Sequence, residues 1–187
     1  MSARVLLLPG YGDSGPAHWQ SRWLQKHSDF VRVQQRDWHR PVSCEWVTAL
    51  DVAVAGTAAG VILVAHSLAC LTVAQWGGSI NPHTASLHPR IAAALLVAPP
   101  DPCGTHFPVQ AQGFDQLPQN ALPFKTIVVV SNNDPYDQTQ CGARLAALRG
   151  SNVVRLDQAG HINGDSGLGE WPAGLALLAQ LGYSLSG

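Results

Sequence analysis

Ser67 stands at the centre of Ala65-His66-Ser67-Leu68-Ala69, between the apolar run Val61-Ile62-Leu63-Val64 and a helix-like segment from Leu68 to Trp76. A serine at a sharp strand-to-helix turn holds its hydroxyl clear of the sheet. The free N–H groups and positive dipole end of the helix lie just behind it. Such a hydroxyl suits attack on a carbonyl carbon, with the Leu68 N–H binding the oxyanion that forms. The turn usually reads G-x-S-x-G, because only small residues fit two places either side of the serine. Both places hold alanine here, which meets the steric requirement with less backbone freedom. The plainer reading of Ser67 is a helix N-cap.

A hydroxyl is a weak nucleophile and needs a base within hydrogen-bond reach. Eight histidines compete. His161, in Ala159-Gly160-His161-Ile162-Asn163-Gly164, follows the last strand candidate and is the best placed to reach Ser67. His66 adjoins Ser67, but its side chain is expected to leave the turn in another direction. An acid must hold the imidazole in one tautomer and stabilise its charged form. Asp134 follows the fifth strand candidate and fills that role. Asp157 is the rival, but it would have to turn back along its own connection. The order Ser67, Asp134, His161 is the serine–acid–histidine order of the α/β-hydrolase fold.

The first strand candidate runs into Pro9-Gly10-Tyr11-Gly12-Asp13-Ser14-Gly15. Glycines there let backbone N–H groups approach a ligand closely. Tyr11 N–H is the candidate second oxyanion donor, with Gly12 as the alternate. Gly10, Gly12, His66 and Trp38 are candidate substrate contacts. The same loop fits G-x-G-x-x-G by letter, but only Asp37 offers itself as a ribose partner, so dinucleotide binding is a weak reading.

These residues need a sheet to position them. Strand candidates are Val5 to Leu8, Phe30 to Gln34, Val61 to Ala65, Ala92 to Ala98, Thr126 to Ser131 and Asn152 to Leu156. Helix candidates are Pro16 to His27, Cys44 to Ala58, Leu68 to Trp76, Gln138 to Leu148 and Trp171 to Leu181. The alternation implies an α/β chain with a mainly parallel six-stranded sheet in a three-layer α/β/α sandwich. Near-continuous Val, Leu, Ile and Ala runs suit strands covered on both faces. Ligands then bind at the C-terminal strand ends, where every candidate above lies. Asn81-Pro82 and the prolines from Pro99 to Pro102 are read as chain breaks. Asp101 to Pro123 is the longest loop candidate and the candidate specificity element. Most of the six tryptophans are assigned to core packing.

A length of 187 residues suits one domain, residues 1–187. A net charge of −1 without basic clusters predicts no affinity for nucleic acid or a membrane surface. With few charges, homo-oligomerisation is left open. The four cysteines form no CxxC pair and no metal-type cluster, so no metal is expected. No apolar run has the length of a membrane span, and Arg4 to Leu8 is too short for a signal-peptide core. A cytoplasmic protein with reduced thiols is expected.

Pro9-Gly10-Tyr11-Gly12, Ser14-Gly15-Pro16, His18-Trp19 and Trp23 together resemble the opening of the small serine hydrolases related to retinoblastoma-binding protein 9 and the bacterial YdeN proteins. Asp37-Trp38 with Pro41, the Ser67 segment, Asn133-Asp134-Pro135-Tyr136, Gly160 to Asn163, Ser166 to Gly169 and Trp171-Pro172 resemble later blocks in the same order. The resemblance spans nearly the whole chain. It implies a minimal α/β-hydrolase, a triad of Ser67, Asp134 and His161, and oxyanion donors at Tyr11 and Leu68. It also implies hydrolysis of a carboxyl ester or amide; a small substrate is expected because the chain has little room for a large cap domain. Ala69 departs from the pattern, since many relatives carry glycine there.

The expected reaction is acyl transfer through Ser67 without a metal or organic cofactor. The alternatives are a binding protein of the same fold with little turnover, and a thiol enzyme using Cys70. A Cys70 enzyme would keep iodoacetamide-sensitive turnover in Ser67→Ala; a serine enzyme is expected to lose turnover in that variant.

Overall fold

The apolar runs form the strands of one sheet. In the computed structural model, which describes residues 4–58, 60–116, 120–148 and 150–184, these are β1 (Val5–Leu8), β2 (Phe30–Arg32), β3 (Val61–His66), β4 (Ile91–Val97), β5 (Lys125–Ser131) and β6 (Asn152–Leu156). The sheet order is β2-β1-β3-β4-β5-β6, and every pairing is parallel. The helices are α1 (Trp19–Lys26), α2 (Ser43–Ala55), α3 (Leu68–Gly77), α4 (Pro82–Leu87), α5 (Cys141–Leu148) and α6 (Pro172–Gln180).

Alternation along the strands divides the core between two faces. Leu6, Leu8, Leu63 and Ala65 pack with Trp46, Leu50 and Val54 of α2 and with α3. Val5, Leu7, Ile62 and Val64 pack with Trp19 and Trp23 of α1 and Leu177 and Leu178 of α6. The result is the expected three-layer sandwich. At Ala92 an irregularity between β3 and β4 adds one residue, since Val61 pairs with Ile91 but Ile62 with Ala93. Ile91 and Ala93 therefore pack on opposite faces, despite their spacing of two.

The strand order reverses at β1. Its C-terminal end and that of β3 lie side by side, with Leu8 opposite Ala65. The buried side chain of Gln20 ties these two ends together. Its Nε2 donates to the carbonyls of Leu8 (3.2 Å) and Val64 (3.1 Å), and its Oε1 accepts from Ser14 Oγ at 2.8 Å. A polar residue on the buried face of α1 is tolerated because both ends of its amide are satisfied.

The helix readings need correction at several limits: α2 ends at Ala55 rather than Ala58, and α5 starts at Cys141 rather than Gln138. α1 starts at Trp19 rather than Pro16, because His18 caps it: His18 Nδ1 accepts the Gln20 N–H at 3.1 Å. Asn81-Pro82 opens a short helix instead of only breaking the chain. Asn81 Oδ1 accepts the His83 N–H at 2.9 Å, and Pro82 takes the first turn, where no donor is needed. Of the 101–123 loop, residues 117–119 lie outside the described residues. The rest carries no helix or extended strand and is fastened by a bridge from Gln112 to Val42 and by Phe114 buried against Trp46. Among the described residues, no helix is long and apolar enough to cross a membrane.

Replacing Gln20 by leucine removes three buried hydrogen bonds while keeping the apolar volume. Gln20→Leu is expected to cost about 1–3 kcal/mol of stability, read as a lower midpoint of urea unfolding with an unchanged slope.

Candidate active site

β3 ends in a turn so tight that Ser67 adopts φ 54° and ψ −125°. A non-glycine residue in that region is strained by about 1–3 kcal/mol. Two short backbone bonds hold it there: Ser67 N–H to Val97 O and Cys70 N–H to Ser67 O, both 2.8 Å. Ala65 and Ala69 are fully buried on either side. The serine side chain does not cap α3. Its Oγ lies 2.8 Å from His161 Nε2 instead.

His161 Nδ1 lies 2.9 Å from both carboxylate oxygens of Asp134. A carboxylate only accepts, so Nδ1 carries the proton and Nε2 is left to accept from the Ser67 hydroxyl. Asp134 is buried, and its Oδ1 also accepts the Tyr136 N–H at 2.9 Å. The rival Asp157 accepts from Asn132 Nδ2 instead.

The loops bearing Asp134 and His161 are stapled to one another. Asn133 Oδ1 accepts from Ser131 Oγ (2.8 Å) and from the Gly160 N–H (2.7 Å), and Ser131 Oγ accepts the Ala159 N–H at 3.0 Å. From the other side, His66 Nε2 donates to the His161 carbonyl at 2.9 Å, and Trp19 Nε1 donates to the Ile162 carbonyl at 2.8 Å. Trp23 Nε1 reaches the Glu170 carbonyl at 2.6 Å. Trp19 and Trp23 are thus anchors as well as core. Nothing in sequence spacing marks these roles for Asn133, His66 or Trp19, since their partners lie on distant loops.

The glycine-rich loop crosses directly over Ser67. A Cβ at Gly10 would sit 2.8 Å from Ser67 Cβ and 3.0 Å from the His66 carbonyl, so only glycine allows this approach. Gly12 N–H is engaged on the Trp38 carbonyl at 2.9 Å, and Asp13 N–H on the Gly10 carbonyl at 3.2 Å. The Tyr11 N–H between them has no acceptor among the described residues. Leu68 is the first residue of α3, where an N–H has no partner within its own helix.

A cleft of about 560 Å³ opens over Ser67, walled by Tyr11, His18, His66, Leu68, Tyr136 and His161. His106, Pro108 and Gln110 bring the 101–123 loop to its rim. Gly10, Gly12 and Trp38 do not line it; Trp38 packs 5.6 Å from the Trp46 ring instead.

Burial shapes the electrostatics. It holds the His66 imidazole well below the ordinary histidine range, reinforced by neighbouring His18 and His161, so His66 is neutral and its Nε2–H is a plain donor. Burial, then His161 and Arg32, lowers His18 to about 4. Burial raises the Cys70 thiol far above its usual range, and its Sγ faces the carbonyls of Ala65 and Val97. A buried protonated thiol beneath the turn is a poor nucleophile. Asp137, beneath the Asp134 loop, is raised to about 6 by burial, although it accepts the Gly142 N–H. Among the described residues, no group of three or more His, Cys, Asp or Glu side chains is arranged to hold a metal ion.

The parallel sheet flanked by helices, with a serine turn at the end of its third strand, is the α/β-hydrolase fold. The chain belongs to the serine hydrolase family, whose model matches residues 5–180. Its structure is similar to a YdeN-like hydrolase of Pectobacterium atrosepticum, with 29% identity, a TM-score of 0.81, and coverage of 96% of this chain and 90% of that one. It is also similar to the ydeN gene product of B. subtilis, at 18% identity and TM-score 0.75, covering 96% and 98% of the two chains. Esterase 2 of Thermogutta terrifontis shares the fold at 14% identity and TM-score 0.65, covering 100% of this chain and 86% of that one. Among curated proteins, none matches the chain.

Gly10→Ala forces the loop away from Ser67. It is expected to lower kcat for an activated aryl ester on the order of a hundredfold, and to lower the midpoint of urea unfolding as well, since the atoms met are a Cβ and a backbone carbonyl.

Proposed function

We propose that this serine hydrolase cleaves a small carboxyl ester, or an amide, through an acyl-enzyme on Ser67. The observation that carries the reading is the hydrogen-bonded series from Ser67 Oγ through His161 to the buried Asp134 carboxylate. His161 Nε2 takes the hydroxyl proton as Oγ attacks the carbonyl carbon. Asp134 fixes the tautomer and stabilises the imidazolium. The N–H groups of Tyr11 and Leu68 bind the oxyanion of the tetrahedral intermediate. The imidazolium protonates the leaving group, which departs to give the acyl-enzyme. Water, deprotonated by His161, then releases the acid and restores Ser67. Family membership and the likeness in fold to the Thermogutta esterase support an esterase-type reaction. The cleft favours a small substrate, since about 560 Å³ leaves no room for a long polymer within it.

The test is covalent labelling with a fluorophosphonate probe followed by peptide mapping. One label per chain at Ser67, absent in Ser67→Ala and at least tenfold slower in Asp134→Asn, is expected. Unlabelled native protein would mean a binding protein on a hydrolase fold. Full activity in Asp134→Asn with loss in Asp157→Asn would reverse the choice of acid.

A further inference from the structure

His18 carries a buried donor that no described residue accepts. Its Nδ1 accepts the Gln20 N–H at the start of α1. A backbone N–H only donates, so the ring proton of neutral His18 sits on Nε2. That Nε2 is buried and has no hydrogen-bond partner among the described residues. His18 is only 5% exposed, yet its ring forms part of the wall of the Ser67 cleft. It lies edge-on to His66, with ring centres 4.6 Å apart, and His66 in turn lies 5.0 Å from His161. The Trp19 ring is tilted only 37° from it, so the His18 edge does not point at that face.

A buried donor left unmet is costly, and such groups in native proteins are satisfied by water or ligand. Its surroundings limit what the acceptor can be. No lysine or arginine lines the cleft among the described residues; Asp13 and Asp165 do, and the Asp13 carboxylate is paired with Arg32 at 2.9 Å. An anionic partner would find no unpaired cation among the described residues that line the cleft, and Asp165 would repel it.

We infer that His18 Nε2–H is a specificity-determining donor for a neutral acceptor oxygen on the substrate, such as an ether, hydroxyl or carbonyl beyond the bond that is cleaved. The inference rests on the esterase reading and narrows its substrate class to oxygenated, uncharged esters. Burial and the neighbouring His161 and Arg32 keep the ring neutral at ordinary pH, so it serves as a donor without a charge. A site built around a donor discriminates strongly against an analogue that lacks the acceptor.

Two matched pairs of esters test this by kcat/KM, each normalised to its rate of alkaline hydrolysis. One pair varies the acyl side: p-nitrophenyl hexanoate against its 4-oxa analogue. The other varies the alcohol: butyl acetate against 2-methoxyethyl acetate. Native enzyme is expected to favour the oxygen-bearing ester by about tenfold or more in at least one pair. His18→Asn keeps an acceptor for the Gln20 N–H but is too short to replace Nε2; it is expected to bring that pair within about twofold, as is His18→Phe. The mono-p-nitrophenyl ester of adipic acid is expected to be poorer than the ether ester. No preference in either pair would mean that Nε2–H only faces the His66 ring, which overturns the inference. So would a preference that survives both substitutions, or a faster adipate ester. Fluorophosphonate labelling of the same preparations separates the outcomes: Ser67 labelled without an ether preference removes the role of His18 alone, whereas loss of labelling removes the esterase reading.

Discussion

Everything in the site depends on the backbone of Ser67 being held in a conformation that serine disfavours. A φ of 54° turns the chain from β3 into α3 within one residue and lifts Oγ out of the sheet. The strain is tolerated because the sheet fixes the residue before it and α3 the residues after it. Small neighbours leave room for the turn, and Gly10 leaves room for the loop above. The point of closest approach, where a Cβ at Gly10 would meet Ser67, is also where β1 and β3 diverge to opposite sides of the sheet order. Gln20 locks those two strand ends at the same place. Position, strain and access to backbone N–H groups therefore have one structural origin.

Three histidines around the cleft show how partners, rather than residue type, set a role. His161 is held between a carboxylate and a hydroxyl, an arrangement suited to proton transfer. His66, buried and neutral, spends its proton on the carbonyl of His161 and so fixes the loop that carries it. His18 accepts at Nδ1 from a helix N-terminus and keeps an unused donor at Nε2. The three rings follow one another in edge contacts. The aromatic wall that anchors the His161 loop thus also lines the cleft.

The strands were legible because buried parallel strands need near-continuous apolar runs, and Val5–Leu8 and Asn152–Leu156 match their expected limits. That the side chains of Ser67, Asp134 and His161 meet was legible because strand ends in such a sheet converge, whatever the intervening loops do. The start of α1 was not, because a histidine N-cap leaves a weaker trace than the proline before it. α4 was hidden because Asn-Pro reads equally as a turn or as a capped first helical turn. Trp38 follows β2 just as Asp134 follows β5, yet it turns into the core against Trp46. Sequence position gives the strand end but not the direction a side chain takes from it. The contacts of Asn133, His66 and Trp19 were unreadable for the same reason: each is a bond to a carbonyl or an amide on a loop far away in the chain.

The proposed chemistry requires Ser67 to become acylated during turnover. It is tested most directly by acid-quenching the native enzyme in mid-turnover with p-nitrophenyl acetate and measuring intact and peptide masses. One acetyl group per chain, on the peptide containing Ser67 and absent from Ser67→Ala, is the expected result. Steady release of nitrophenolate with no acylated peptide, or an acetyl group found on another residue and retained in Ser67→Ala, would contradict it.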